Sequence, residues 1–277
     1  MNETPPEQPD AYLDRIGYTG PRELHAELLR QIHRAHMLAV PFENLDIALG
    51  RPIPLSLPAF YDKIVRRRRG GFCYELNGLF GWLLERLGFP VTILSARVFH
   101  AGQPGPDFEH VLLLVEAGER LIADVGFGDS FLEPLPLELG DEVEQTGSFY
   151  RLRAAGDARV LERRRERADW EAQFSFTLTP RHLAEFGAEC HRLQTSPESP
   201  FTRKAVCSLP TPEGRLTLSG NRLIRTTRGR RTEEPVGSER EYRSLLRAHF
   251  GVELDEAAAI GRLMAFSAVY SDRHEDG

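Results

Sequence analysis

The sequence predicts an α+β protein in which helices come first, strands follow and a mixed α/β tail ends the chain. Before Pro90, apolar residues recur every three to four positions, which is the spacing of helices. After Pro90, the apolar segments become short, and turns containing Gly, Pro or Asp separate them. The 277 residues are enough for one large domain or about two smaller ones.

Composition and charge exclude several classes of protein as first interpretations. The chain is 41% hydrophobic and 27% charged, as in ordinary globular proteins, and its net charge of −6 disfavours nucleic acid and anionic membranes as partners. Apolar runs such as Val111–Val115 are far shorter than a membrane span, and Met1–Asp10 is polar, so we expect neither a transmembrane helix nor a signal peptide. Three cysteines without a CxxC pair argue against disulfides and structural zinc and favour the cytoplasm.

The first third of the chain contains three amphipathic patterns. We expect a first helix at about residues 21–36. A second helix begins near Pro58 and ends at the basic run 66–69, since cations are common in a last turn. The third and clearest helix begins at Cys73 and ends at Gly88.

Short strands are expected after these helices, and they predict an antiparallel barrel or sandwich. A short helix to about Leu193 follows them, and the tail then contains three more strands, a helix opened by Ser238 and Glu241, and a last helix. The expected strands are Val91–Phe99, His110–Val115, Leu121–Val125, Phe149–Arg153, Arg159–Arg163, Phe174–Leu178, Lys204–Leu209, Leu216–Leu218 and Arg222–Thr226, and the last helix is expected at about Asp255–Phe266.

Cys73 is a candidate nucleophile because it begins the clearest helix. The positive end of a helix dipole and its free N–H groups stabilise a thiolate, and two preceding glycines leave the side chain accessible. The alternative is that Cys73 is a packed core residue, as free cysteines usually are. For Cys190 and Cys207 the packed interpretation is favoured.

A nucleophilic cysteine needs a base, and His110 is the candidate because it begins an apolar strand. The other histidines lie in helical or loop-like surroundings; for His25, His33 and His36 we expect solvated or capping roles. If a three-residue loop with Gly118 last joins the next strand, Val115 faces Glu119 and His110 faces Asp124. The alternative for Asp124 is an edge position facing water. Together, these residues suggest a thiolate–imidazole–carboxylate triad for acyl transfer.

Six segments, in this order along the chain, resemble the arylamine N-acetyltransferase family. The resemblance covers nearly the whole sequence. It implies a helical bundle (1–88), a β-barrel (89–194) and an α/β lid (195–277), related to the transglutaminase and papain-like cysteine fold. The matching segments are Val40–Leu45, Arg69–Gly78, His110–Val115, Asp124–Gly128, and Thr195–Pro197 with Thr211–Gly214.

The resemblance implies ping-pong transfer of an acetyl group from acetyl-CoA to arylamines or arylhydrazines, with no metal. Cys73 would carry the acetyl group, His110 would activate Cys73, and Asp124 would orient His110. The remaining residues that match the family have supporting roles. Phe42 and Phe127 match the lining of the acceptor pocket, Phe201 matches the lid position nearest the cleft, and Arg69 and Glu43 match an ion pair beside the cysteine.

Ordinary core packing is the alternative interpretation for Phe42 and Phe127. The arginines 66–68, which precede Arg69, are expected to form a solvated helix end. Two features differ from the family pattern and bear on its coenzyme contacts. Glu109 stands where the family usually has a small or neutral residue, and the loop 101–108 carries two prolines.

The triad alone leaves other functions open. A cysteine hydrolase, a transglutaminase or a biosynthetic aryl amide synthase would use the same three residues with a different acceptor. A binding module without activity is the remaining alternative, and the intact triad speaks against it.

Overall fold

Helices fill the first third of the chain in the computed structural model, which describes residues 9–138, 140–165, 168–254 and 258–271. The predicted third helix is confirmed with both of its ends. The N-terminal helices are α1 (Pro9–Arg15), α2 (Ala26–Ala39), α3 (Leu45–Ala48), α4 (Leu57–Tyr61) and α5 (Cys73–Leu87).

Local caps decide where these helices begin and end. Helix α2 begins later than predicted, because His25 caps it by accepting a hydrogen bond from the N–H of Leu28. Helix α4 has Pro58 in its first turn, as predicted, and continues as a wider π-helical turn at Asp62–Arg66. Helix α5 ends at Gly88, whose φ of 106° is unfavourable for other residues.

Strands of the central region form one large antiparallel sheet, nearly closed into a barrel. This confirms the predicted α+β class and decides between barrel and sandwich. Along the sheet the strand order is β6-β5-β4-β2-β10-β9-β8-β7, and β3 pairs with β2. The strands are β2 (Val91–His100), β3 (Gln103–Pro104), β4 (His110–Glu116), β5 (Arg120–Ala123), β6 (Leu135–Pro136), β7 (Val143–Gln145), β8 (Ser148–Ala155), β9 (Ala158–Arg165) and β10 (Glu171–Phe176).

A second sheet contains the tail strands and one strand from the first third of the chain. Its order is β1-β11-β12-β13-β14, and its first pair joins Phe42 to Ser208 and Glu43 to Cys207. The helical region is therefore tied to the tail by backbone hydrogen bonds. The elements are β1 (Phe42–Glu43), β11 (Val206–Thr211), β12 (Gly214–Ser219), β13 (Arg222–Thr227) and β14 (Arg230–Pro235), with the helices α6 (Gly187–Thr195), α7 (Glu239–Phe250) and α8 (Ala259–Ser271).

The tail differs from its prediction in two places: β14 is a fourth strand where three were expected, and the last helix has other bounds. The last helix begins at Ala259 and continues past the predicted end at Phe266, while residues 255–257 of that prediction lie outside the described residues.

In the described ranges, no helix has both the length and the apolar character needed to cross a membrane.

Strand β4 lies between two apolar cores. Val111 and Leu113 face the core formed by the helices, whereas Leu112 and Leu114 face the core inside the barrel. Helix α6, which the proposed boundaries assign to the barrel segment, packs against the helical core through Leu193. The boundaries 1–88, 89–194 and 195–277 stay a prediction.

The register predicted for the β4–β5 hairpin is wrong by two residues. Val115 pairs with Leu121, not with Glu119, and the loop is Ala117–Glu119 with Gly118 in its middle at a φ of 83°. His110 is therefore not directly opposite Asp124, which follows the last residue of β5. A shift of two residues preserves the face, since side chains alternate with a period of two, so both side chains still point to the same side.

The backbone at Gly70, just before the candidate nucleophile, packs tightly against the backbone at Pro41. A Cβ at this position would lie 1.9 Å from the carbonyl oxygen of Pro41. We predict that Gly70→Ala lowers the free energy of unfolding by about 2 kcal/mol or more, and Tm by roughly 4–8 °C, because a backbone oxygen cannot move aside. Gly187→Ala is the matched control, as a Cβ there meets nothing within 4 Å. Equal melting temperatures for the two variants would contradict this close approach.

Candidate active site

Cys73 is the first residue of α5 and lies beside the start of β4. Its side chain is buried, and its Sγ lies 3.9 Å from the carbonyl oxygen of Glu109. Backbone groups of Val111 also act on the thiol. Since His110 is the residue between these two, the thiol lies against the segment that carries the candidate base.

The environment of Cys73 acts on its protonation in both directions. Burial raises the pKa of the thiol above its ordinary value, and Cys190 and Asp124 add to the effect. Backbone groups of Val111 and Tyr74 lower it. The helix N-terminus alone led us to expect a stabilised thiolate, and burial reverses that expectation. A thiolate here therefore requires a base that removes the proton.

His110 and Asp124 form a buried hydrogen bond of 2.8 Å between Nε2 and Oδ2. Burial acts to raise the pKa of Asp124, but His110 and two N–H donors outweigh it, so the net pKa is lowered. An ionised carboxylate only accepts hydrogen bonds, so Nε2 of His110 carries the hydrogen and donates it. Nδ1 of a neutral ring then has a free lone pair that can take a proton.

Asn77 connects the nucleophile's helix to this carboxylate. It lies one turn after Cys73, and its Nδ2 donates to Oδ1 of Asp124 at 2.8 Å and to the carbonyl of Val111 at 2.7 Å. Its Oδ1 accepts from the N–H of Val125 at 2.8 Å. One side chain therefore fixes α5, β4 and the segment after β5 relative to one another.

Gly126 allows the segment after Asp124 to approach the nucleophile. A Cβ at this position would lie 2.8 Å from both the Cα of Cys73 and the Nδ2 of Asn77. Its N–H donates to Oδ1 of Asp124 at 2.9 Å. The close approach accounts for a glycine here.

His33 completes the surroundings of Asp124 from α2. Its Nε2 accepts from the N–H of Asp124 at 3.1 Å, and its Nδ1 lies 2.7 Å from the carbonyl of Leu132, to which it donates. Burial lowers the pKa of His33 to about 4, so the ring is neutral. The expected solvated or capping role is wrong for His33 and for His36, which are both fully buried, and confirmed for His25.

A buried ion cluster lies behind the nucleophile. Nη2 of Arg69 lies 2.7 Å from Glu43, and Nζ of Lys63 lies 2.8 Å from Asp46 and 2.9 Å from Glu75. Glu75 also accepts the N–H of Phe72, the residue before Cys73, at 3.1 Å. These pairs fix the glycine-containing segment that presents the thiol.

Charges in this cluster compensate one another. Burial raises the pKa of Glu75 to about 7 although Lys63 opposes it, whereas Lys63 and Arg69 outweigh burial at Asp46 and lower its pKa to about 2. The arginines 66–68 are exposed, so the solvated interpretation is confirmed for them.

The aromatic residues singled out by the sequence lie near the triad. The ring of Phe127 packs edge-on against His110 with centroids 5.3 Å apart. Phe42 and Phe201 lie 6.1 Å apart, and Phe201 also approaches Phe72 at 6.0 Å. A Cβ at Gly128, next to Phe127, would lie 3.6 Å from the ring of Phe42. Phe127 therefore packs against the candidate base, and Phe201 lies between Phe42 and the residue before Cys73.

An open cleft of about 460 Å³ begins at Phe127 and extends along the barrel. Its wall is formed by the β2–β3 turn and by strands β9 and β10. The lining residues outside Phe127 are Phe99, Ala101, Gly102, Arg163, Trp170, Glu171, Ala172 and Gln173.

Glu109, which departs from the family pattern, is buried under the loop 101–108. Its Oε1 lies 2.8 Å from Nε2 of His100, and a Cβ on Gly105 would lie 2.1 Å from its Oε2. Gly105 therefore packs directly against the carboxylate of Glu109. Within the described part of the chain, no group of three or more His, Cys, Asp or Glu residues is arranged to hold a metal ion.

Sequence reasoning missed several residues of this site, and some of them had a usable signal. Asn77 lies four residues after Cys73, on the same helix face, where a partner of the site is expected. His33 follows Ile32 within the apolar positions of α2. For Lys63 no local signal exists, because its three acidic partners come from different elements.

Comparison with known proteins first defines the class. Residues 25–259 match the family model described as N-acetyltransferase. The curated relative arylamine N-acetyltransferase 2 of Mus musculus is 36% identical over 275 residues, which is 89% of this chain and 94% of that protein. Arylamine N-acetyltransferase 1 of Homo sapiens is 38% identical over 233 residues, covering 76% and 80% of the two chains.

Solved structures agree with this class. The arylamine N-acetyltransferase of Mycobacterium marinum, solved in complex with CoA, superposes with a TM-score of 0.86 at 32% identity, covering 94% of this chain and 98% of the other. The enzyme from Salmonella typhimurium gives 0.87 at 31%, with the same coverage. The chain belongs to the arylamine N-acetyltransferase family, whose enzymes transfer acetyl groups to arylamines.

The neutral, buried His33 predicts a specific loss of stability in acid. The folded protein binds fewer protons here than the unfolded chain, whose His pKa is near 6.5, so stability falls as pH falls from 6.5 towards 4. His33 alone should lower the free energy of unfolding by roughly 2 kcal/mol between pH 7 and pH 5. Urea unfolding at both pH values measures this difference in the free energy of unfolding.

His33→Gln removes the titrating group but can still donate and accept, so its stability should depend less on pH by that amount. His191→Gln, on an exposed face of α6, is the control. A wild-type pH dependence in His33→Gln would show that His33 is not the titrating group.

Proposed function

We propose that this enzyme moves an acetyl group from acetyl-CoA to the nitrogen of an arylamine or arylhydrazine by way of an acetyl-Cys73 intermediate. The 2.8 Å hydrogen bond between Asp124 and His110, buried beside the thiol, is the observation that carries the proposal. A carboxylate, an imidazole and a thiol in this order are the parts of a nucleophilic triad.

In the first half-reaction, Cys73 is acetylated. Nδ1 of His110 takes the thiol proton, and Asp124 balances the positive charge of the imidazolium. The sulfur attacks the thioester carbonyl, the new C–S bond forms, and the bond to the coenzyme sulfur breaks. The coenzyme thiolate leaves with the proton from His110 as free CoA.

In the second half-reaction, the acceptor nitrogen attacks the acetyl-Cys73 carbonyl. His110 takes a proton from the attacking nitrogen and returns it to the sulfur of Cys73 as the C–S bond breaks. The product is the N-acetyl compound, and the thiol is regenerated. His110 thus acts as base and then as acid in each half-reaction.

Transfer to an amine requires that water does not hydrolyse the acetyl-cysteine. The burial of Cys73, with an exposed fraction of 4%, supports transfer over hydrolysis. We assign Phe42, Phe127 and Phe201 to the apolar surroundings of the acceptor ring, since Phe127 packs against His110 and Phe201 packs against Phe42 and the residue before Cys73. Arg69 and Glu43 hold the segment before Cys73 and take no part in the chemistry.

The proposal also includes the acetyl donor and the cellular compartment of the enzyme. The related M. marinum enzyme has been solved in complex with CoA, which supports acetyl-CoA as the donor here. We place the enzyme in the cytoplasm, because a reducing compartment keeps the nucleophilic thiol free. The described structure contains three free cysteines, Cys73, Cys190 and Cys207.

Mass spectrometry of the protein after exposure to acetyl-CoA tests the proposal. We expect one acetyl group, on the peptide that contains Cys73, and its loss when an arylamine is added. Cys73→Ala should bind no acetyl group and lose transfer, while Cys190→Ala, a buried cysteine on α6, should keep both apart from packing losses. Release of acetate without an acceptor would favour a hydrolase, and acetyl transfer by Cys73→Ala would refute the proposed intermediate.

A further inference from the structure

Three arginines converge on the carboxylate of Asp129, and one of them, Arg163, lines the cleft that begins at Phe127. Asp129 accepts from Arg165 at 2.8 Å and from Arg215 at 3.1 Å, and its Oδ2 lies 3.2 Å from Nη1 of Arg163. Arg163 also donates to the backbone oxygen of Asp129 at 2.8 Å. The chemistry of the triad does not use this cluster.

The position of the cluster connects it to the cleft. Asp129 follows Phe127 by two residues, and Phe127 packs against His110. Arg163 lines the cleft of about 460 Å³ together with Phe127. A molecule that occupies this cleft therefore lies beside Arg163 and beside the phenylalanine that packs against His110.

The cluster also forms where the two sheets meet. Arg163 and Arg165 share one face of β9 in the large sheet, whereas Arg215 comes from β12 of the second sheet. Nη1 of Arg215 donates to Oγ of Ser208 at 3.1 Å, and Ser208 pairs with Phe42. The three positive groups are thus contributed by both sheets.

In the set formed by the three arginines, Asp129 and Glu171, positive side chains outnumber negative ones. Besides Asp129, the carboxylate of Glu171 lies across the ladder from Arg163 and lines the same cleft. Three guanidinium groups and two carboxylates leave one positive charge. Burial lowers the pKa of Arg215, Asp129 raises it and Arg163 lowers it again, as expected for a partly compensated buried cation.

We propose that Arg163, Arg165 and Arg215 form an anion subsite that binds an anionic group of a substrate in the cleft. Guanidinium groups bind phosphate and carboxylate through paired charge-assisted hydrogen bonds. The group is either a phosphate of the coenzyme or a carboxylate on an acidic aryl acceptor. The inference rests on the proposed acetyl transfer, since it assumes that substrates of that reaction occupy the cleft.

Arg165→Gln is the main test, because this side chain is 58% exposed and its loss does little to the fold. Asp129→Asn is the opposite test, since it removes negative charge and keeps the shape. Arg153→Gln is the matched control, as Arg153 pairs with Glu162 on the other face of the sheet. Melting temperatures show which variants are folded.

Binding is measured in the Cys73→Ala background, where no acetyl transfer interferes. With a coenzyme phosphate in the subsite, Arg165→Gln should weaken binding of CoA about tenfold and leave pantetheine, which lacks the nucleotide phosphates, unchanged. Asp129→Asn should tighten CoA binding severalfold. The opposite signs of the two effects separate charge from structural damage.

The acceptor half-reaction tests the other source of the anion. With a carboxylate in the subsite, Arg165→Gln should slow deacetylation of acetyl-Cys73 by 4-aminobenzoate about tenfold while aniline reacts as before. CoA binding would then be unaffected.

The subsite is refuted if Arg165→Gln changes neither CoA binding nor the use of 4-aminobenzoate by more than about twofold, or if Arg153→Gln has the same effects. Failure of the proposed function gives a different result. In that case wild-type protein forms no acetyl-Cys73, while CoA binding still depends on Arg165.

Discussion

The site depends on one buried carboxylate, that of Asp124. A buried charge is costly unless it is paired and hydrogen-bonded, and Asp124 accepts from His110, Asn77 and Gly126. These donors come from β4, from α5 and from the segment after β5. The carboxylate is therefore satisfied only when the helices and the barrel are assembled around it, so folding and formation of the site are coupled.

A second buried cluster supports the nucleophile from behind. Lys63 and Arg69 bind the carboxylates of Glu43, Asp46 and Glu75, and Glu75 in turn accepts the N–H of the residue before Cys73. Removal of one member leaves charges buried without a partner, which is more costly than the pair is worth. The cluster thus holds the start of α5 in place without contacting the candidate base.

Local rules predicted those parts of the molecule that local chemistry determines. Helix α5 is delimited by its caps, and the burial of β4 on both faces follows from its continuous apolar sequence. The two-residue error in the hairpin came from the turn, because Gly118 fits the last position of a three-residue loop as well as the middle one. The predicted hydrogen bond between His110 and Asp124 forms despite that error, because an even shift keeps side chains on one face.

Other features depend on tertiary contacts that no local pattern contains. His33 and Asp124 are 91 positions apart, and their hydrogen bond results from how α2 packs against the barrel. The ion partners of Lys63 and the arginines around Asp129 likewise belong to elements that are distant in sequence. The sequence singled out Cys73, His110 and Asp124 as candidates by chemistry and spacing, whereas the groups that contact them required the structure.

The central claim is that Asp124 fixes the tautomer of His110 so that Nδ1 is free to accept the proton of Cys73. Nitrogen-15 NMR of the histidine side chains measures this directly, with His110→Asn used to assign the signals. When the imidazole of His110 is neutral, the account predicts that its Nε2 carries the hydrogen. Its Nδ1 should then have the nitrogen-15 chemical shift of an unprotonated nitrogen. A hydrogen on Nδ1 and none on Nε2 would contradict it, because His110 could then neither donate to Asp124 nor take the proton of Cys73 through Nδ1.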